Sequence, residues 1–224
     1  MKVLSLASIL SFQAPNLLET FKNDDILVIS PLDDDINAKF VKCEIGSLSY
    51  VLALICKDLF DDEFFSSLDE GYLSGESNVG EEELPFICEF IKNCGVIIVS
   101  PEVLNSINSK QIQAMLNLLS NAFGIRIINL NGDDLSLDGV LNELDELSSF
   151  DGAVIFTHSK FNEFRGGEYF KVAAKLRDGD IVTIKTIKKD IKIQFRLDKN
   201  IKGTVGFLGS KELDYSYEIL NIAK

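Results

Sequence analysis

The chain has 224 residues, 46% of them apolar, and 35 acidic against 22 basic side chains give it a formal charge of −13. That is the composition of a folded protein, long enough for one large domain or two small ones that need no disulfides, and not of a disordered one. Its sequence pI near 4.5 excludes nucleic acid as the main partner, since polyanion binding requires clustered cations, and no apolar run approaches the ~18 residues of a membrane span.

Taken in chain order, the apolar run 3–10 reads as a buried strand. The Phe12-Gln13-Ala14-Pro15 stretch after it lacks the small-x-small cleavage pattern of a secretory signal. A helix opens at Pro15-Asn16, where the missing proline N–H costs nothing in the first turn. Strand 26–30 stops at Pro31. Ser47 is placed to cap a helix whose apolar positions Leu48, Val51, Leu52, Leu54, Ile55 and Leu59 recur at three and four. The segment 61–83, acidic and with glycines at 71, 75 and 80, reads as a long exposed loop. A helix starts near Glu81 and tolerates Pro85 early. Strand 96–100 follows. Asn108 or Ser109 caps a helix carrying Ile112, Met115, Leu116, Leu118 and Leu119, Gly124 supplies its left-handed end, and strand 125–130 comes next. Strands separated by helices in this way favour a parallel sheet.

The tail reads differently. Extended runs at 180–187, 191–197 and 203–208 are closely spaced, with Lys188-Lys189-Asp190 turning the first into the second. Charge shifts at the same place: residues 1–150 hold 8 basic and 25 acidic side chains, net −17, whereas 151–224 hold 14 and 10, net +4. The expected organisation is an α/β domain over 1–150 with a mainly parallel, Rossmann-like sheet, then a small β-rich, barrel-like domain over 151–224.

The chemical inventory is sparse. Gly75 to Glu82 has the glycine spacing of a phosphate loop, but Glu81 and Glu82 stand where that loop needs lysine and a hydroxyl, so the segment reads as a hinged turn. Cys43, Cys56, Cys88 and Cys94 never fall as C-x-x-C and read as buried thiols in a reducing compartment. Cys88 and Cys94, six apart on one helix, would diverge. His158, the single histidine, ends a strand and reads as structural. Asp33-Asp34-Asp35 reads as a solvated turn or helix cap. Phe164-Arg165-Gly166-Gly167 reads either as a flexible turn presenting a cation to an anion or as a plain surface turn. No catalytic, cofactor-binding or metal-ligating residue is assigned.

The tail Leu176-Arg-Asp-Gly-Asp-Ile-Val-Thr-Ile-Lys185, with 191–197 and Ile201-Lys-Gly-Thr-Val-Gly-Phe-Leu-Gly209, resembles the C-terminal domain of the molybdopterin oxidoreductase superfamily, a six-stranded double-psi barrel. Upstream, Ile26-Leu-Val-Ile-Ser-Pro-Leu-Asp-Asp and Phe40-Val-Lys-Cys-Glu-Ile-Gly-Ser47, running into Val51-Leu-Ala-Leu-Ile55, are similar to the molybdopterin-type region of the large iron–sulfur subunit of bacterial NADH:quinone oxidoreductase (complex I), especially ε-proteobacterial forms. That subunit carries cysteine-rich iron–sulfur motifs in its N-terminal region, and no such motif stands here. The resemblance therefore implies a shortened, C-terminal portion: a split subunit, a reduced paralogue or an excised domain.

The function it implies is a non-catalytic, structural or subunit-interaction part of a respiratory electron-transfer complex. Such a part holds no cofactor of its own, has the other subunits of the complex as partners, is cytoplasmic, and reaches the inner membrane only peripherally through them. Two alternatives stand beside it: a cofactor-binding domain of a molybdopterin-type oxidoreductase, and a free-standing acidic α/β interaction module.

Overall fold

The computed structural model describes residues 1–223. Their backbone contacts divide into two units, Met1–Leu147 and Ser148–Lys224. The first runs β1 (Lys2–Ser5), α1 (Leu10–Gln13), α2 (Pro15–Thr20), β2 (Asp25–Ser30), β3 (Lys39–Lys42), α3 (Leu48–Leu59), α4 (Glu63–Ser66), α5 (Glu70–Ser77) and α6 (Leu84–Lys92). It continues through β4 (Val96–Ile98), α7 (Pro101–Leu104), α8 (Ser109–Phe123) and β5 (Arg126–Ile128).

All five strands are parallel, in the order β3-β2-β1-β4-β5. Alternate side chains supply two cores, because successive residues of a strand point to opposite faces. Val3, Ile26, Val28, Val96 and Ile98 pack with Leu10, Ala14 and Leu17 of the α1–α2 connection, while Leu4, Leu27, Ile29 and Ile97 pack under α3, α6 and α8. Burial on both faces explains why β2 and β4 are near-continuous aliphatic runs, whereas the edge strand β3 buries only Val41. The β1–β2 connection lies on one face and the β4–β5 connection on the other, so the winding reverses between β1 and β4.

Several expectations need correction here. The strand expected over 3–10 ends at Ser5, and the chain turns into α1, because the Ser8 and Ile9 amides donate to side chains, Glu102 and Gln13, instead of a ladder. The acidic segment 61–83 is not a loop. Asp62 and Asp69 cap α4 and α5 by accepting the Phe64 and Tyr72 amides, and Phe65, Leu73 and Val79 bury themselves in the main core. Lys57 Nζ pins the end of α4 by donating to the Phe65, Ser66 and Leu68 carbonyls, each at 3.1 Å. Ser47 occupies the cap position of α3, yet its hydroxyl donates back to the Glu44 carbonyl; Asn108, ahead of α8, likewise spends its side chain elsewhere. The helix expected from Glu81 starts at Leu84 after a turn, and Cys94 lies beyond its end.

The second unit contains β6 (Val154–His158), β7 (Glu163–Gly166), α9 (Glu168–Ala174), β8 (Ile181–Lys185), β9 (Asp190–Gln194), β10 (Arg196–Leu197), β11 (Val205–Gly209) and β12 (Ser216–Ile219). Five of these strands form a mixed sheet in the order β10-β7-β11-β6-β12, in which β10 with β7 and β11 with β6 are parallel. β8 and β9 pair antiparallel. Phe195 alone separates β9 from β10. The Lys185 amide donates to Asn221 O and the Ala223 amide to Thr183 O, so β8 also meets the chain just after β12. The β8–β9 pair is thus joined to the chain after β12 by an isolated bridge, Ile184 to Ile222, and runs on through Phe195 into β10 at the other edge of the five-stranded sheet.

Phe164, Phe170 and Phe195 fill the interior with Ile155, Ile184 and Leu208. Gly166 and Gly206 floor the pocket of Phe170: a Cβ on either would lie within 2.5 Å of that ring. A Cβ on Gly167 would fall 1.9 Å from the Ile201 carbonyl oxygen. The Phe164-Arg165-Gly166-Gly167 segment is therefore a strand running into a helix, not a flexible turn, and its glycines are set by close approach.

Candidate functional site

In wound parallel sheets, ligands collect outside the carboxyl ends of the strands where the winding reverses. In the first unit that place lies beyond β1 and β4. Ser8, Ser11 and Gln13 come from the β1–α1 segment, Asp34 from the β2–β3 connection and Glu102 from α7.

Glu102 fills it. Ser8 Oγ donates to Glu102 Oε1 at 2.7 Å and the Ser8 amide to the same oxygen at 3.3 Å, while Gln13 Nε2 donates to Oε1 at 2.9 Å and to Oε2 at 3.1 Å. Gln13 is oriented in turn by accepting the Ile9 amide at 2.9 Å. Beside it, Asp34 accepts the Ser11 amide at 2.8 Å and the Ser11 hydroxyl. Ser30 Oγ donates to the Ser8 carbonyl at 2.7 Å and Ser100 Oγ to the Leu6 carbonyl at 3.4 Å, tying the ends of β2 and β4 to the same loop. Donors that could receive a phosphate are thus bonded to two of the chain's own carboxylates, and these would repel it. A nucleotide or pterin dinucleotide does not fit these residues.

Glu102, Gln13 and Ser8 were not singled out by the sequence. No local signal marks them, because the site exists only once β1 and β4, far apart in the chain, become neighbours.

The residues that the sequence did single out lie elsewhere. Gly75 is in α5, Asn78 ends that helix in the left-handed region at φ 58°, and the Gly80 amide donates to Glu83 Oε2. All four cysteines are free and buried. Burial pushes the Cys43 and Cys88 thiols up to about 12 and raises those of Cys56 and Cys94, which leaves them protonated and unreactive. Asp33 pairs with Lys42 at 3.4 Å. Among the described residues no group of three His, Cys, Asp or Glu side chains is arranged to hold a metal ion.

In the second unit His158 is fully buried at the end of β6, its ring packed so closely on Gly209 that a Cβ there would lie 2.4 Å from Cε1. Its Nε2 meets Glu163 Oε1 at 3.0 Å; Glu163 Oε2 meets Arg165 at 3.2 Å; and Arg165 reaches Asp198 at 3.1 Å and covers the Phe207 ring. Burial holds the imidazole below its ordinary value; Glu163 opposes that effect, and Arg165 and Lys160 add to it. The row is a structural brace across β6, β7 and the chain after β10, closed to any substrate at the histidine.

No family model matches the chain, and no curated protein matches it. No helix among the described residues is long and apolar enough to cross a membrane.

Proposed function

We propose that this chain is a non-catalytic, subunit-interaction portion of a protein like the large iron–sulfur subunit of NADH:quinone oxidoreductase, held at the cytoplasmic side of the inner membrane by its partner subunits. The observation that carries the non-catalytic part is the occupation of the winding-reversal crevice by Glu102 and Asp34. The assignment to that complex rests on the similar segments at 26–34, 40–55 and 176–209. The parallel sheet reversing between β1 and β4 supports a Rossmann-like reading of the first unit. The mixed sheet of the second, with its two parallel pairs and the bridge to β8, supports a double-psi-type barrel.

The alternative of a cofactor-binding domain requires a pterin dinucleotide to displace two hydrogen-bonded carboxylates, and the residues do not favour it. A free-standing acidic interaction module has one observation in its favour. None of the carboxylates in 58–89 joins an ion pair among the described residues, which leaves a face of one sign on α4, α5 and the turn before α6.

The deciding experiment is recovery of the tagged protein from gently solubilised membranes of its source. Co-recovery of NADH:quinone oxidoreductase subunits, weakened by Glu81→Lys with Glu82→Lys, is the expected result. Recovery of the chain alone from the soluble fraction overturns the assignment.

A further inference from the structure

Residues 135–147 form no helix or strand, yet they are held along their length. They run antiparallel to α8 as a strap gripped by side-chain amides. Asn117 Nδ2 donates to the Leu137 carbonyl at 3.1 Å, Gln113 Oε1 accepts the Asp138 amide at 3.0 Å, and Gln111 Nε2 donates to the Glu143 carbonyl at 3.0 Å. Asn108 takes both sides of one residue, accepting the Asp145 amide at 2.8 Å and donating to its carbonyl at 3.1 Å; the Tyr50 hydroxyl adds a second bond to that carbonyl at 3.2 Å.

These bonds are made to backbone groups, so they recognise an extended chain rather than a sequence. Among the described residues, two backbone–backbone bonds join the strap to the rest of the unit: Leu135 amide to Ile127 O and Val140 amide to Lys110 O. Its five leucines are only partly buried against the core. Selectivity comes from those leucines, from the Lys110–Asp138 ion pair at 3.0 Å and from one close approach. At Gly139 the strap lies so close to α8 that a Cβ would fall 2.0 Å from the Ala114 nitrogen.

We propose that α8 is a peptide-binding rail, with residues 135–147 as its ligand in cis, and that the same segment of a second copy of this chain takes its place when the strap is released. The ligand class is an extended, leucine-bearing acidic peptide with glycine at the close approach. Exchange of an identical segment between copies makes the same contacts twice and is a low-cost route to a dimer. The inference does not depend on membership of a respiratory complex.

Two measurements on the full chain test it. In the unaltered protein, hydrogen exchange at the Val140 and Asp145 amides is expected to be faster than at Leu54 and Ile55 in α3, showing that the strap opens separately; exchange in step with α3 overturns the proposal. A fluorescent synthetic peptide of residues 133–149 then stands in for the second copy's strap. Gly139→Val, which expels the strap by its added bulk, is expected to bind that peptide at least ~10-fold more tightly than the unaltered chain, and a peptide with alanine at 139 is expected to bind to neither. A folded Gly139→Val chain that ignores the peptide, or one that loses its whole fold, shows the strap to be ordinary core and overturns the rail.

Discussion

The two units solve the problem of filling a core in opposite ways. In the first, the space between the sheet and helices is filled by many, mostly aliphatic, side chains contributed by the strands and, in greater number, by the helices that cover them. In the second, the short strands leave room for a few rings, and the fit depends on side chains that are absent: Gly166 and Gly206 beneath Phe170, Gly209 beneath His158 and Gly167 beside Ile201. Loss in the first is spread over many contacts, whereas loss in the second is concentrated at a few close approaches. A close-packed interior makes the second kind intolerant of added as well as of removed atoms.

That contrast can be broken most sharply at Phe170. Phe170→Ala removes a fully buried ring and is expected to cost about 3–5 kcal/mol, read by chemical denaturation, with hydrogen-exchange protection lost in β6, β7 and β11 and retained in β1 and β4. Gly206→Ala tests the floor instead of the plug. Its added methyl would lie 2.5 Å from the ring, so a loss of about 2 kcal/mol is expected in the same measurement. An unchanged Gly206→Ala would mean that the ring has room to move and that the two cores do not differ as described.

The histidine sharpens the comparison through pH. Its folded-state pKa is lowered below the ordinary 6.5, so below that pH the unfolded chain takes up a proton that the folded chain resists. The stability of the second unit is therefore expected to fall as pH drops through 6.5 toward the folded value, and His158→Gln to flatten that slope. A slope of the same size in both proteins would place the titration elsewhere. The smallest effect belongs to the first unit, where Gly75 lies in α5 with nothing within 4 Å of an added Cβ. Gly75→Ala is expected to raise stability by up to about 1 kcal/mol, the reverse of its effect at Gly206.

These differences decide what the sequence can reveal. The sheet of the first unit was legible because β2, β4 and β5 are aliphatic runs punctuated by Pro31, Gly95 and Gly124, and α8 because its apolar residues keep helical spacing. The acidic segment misled because charge suggests solvent, while its anchors Phe65, Leu73 and Val79 are too widely spaced to show a period. β7, α9 and β12 stayed hidden for the converse reason, although the strand that His158 ends was expected and is β6. Gly166 and Gly167 look like a turn signal, but they are there to admit the Phe170 ring of the following helix and the carbonyl of the distant Ile201. The crevice was out of reach altogether, since Glu102 meets Ser8 and Gln13 only through the strand order.

At the winding-reversal crevice the chain's own carboxylates, Glu102 and Asp34, take up the donors that a phosphate would need. Calorimetric titration of the intact purified chain with NADH, ATP and a pterin dinucleotide tests this occupation directly. No saturable heat is expected from any of the three, and Glu102→Ala alone is expected to gain weak phosphate binding through the freed Ser8 and Gln13 donors. Stoichiometric binding of a nucleotide or pterin by the unaltered chain, abolished by substituting Ser8 or Gln13, would contradict it.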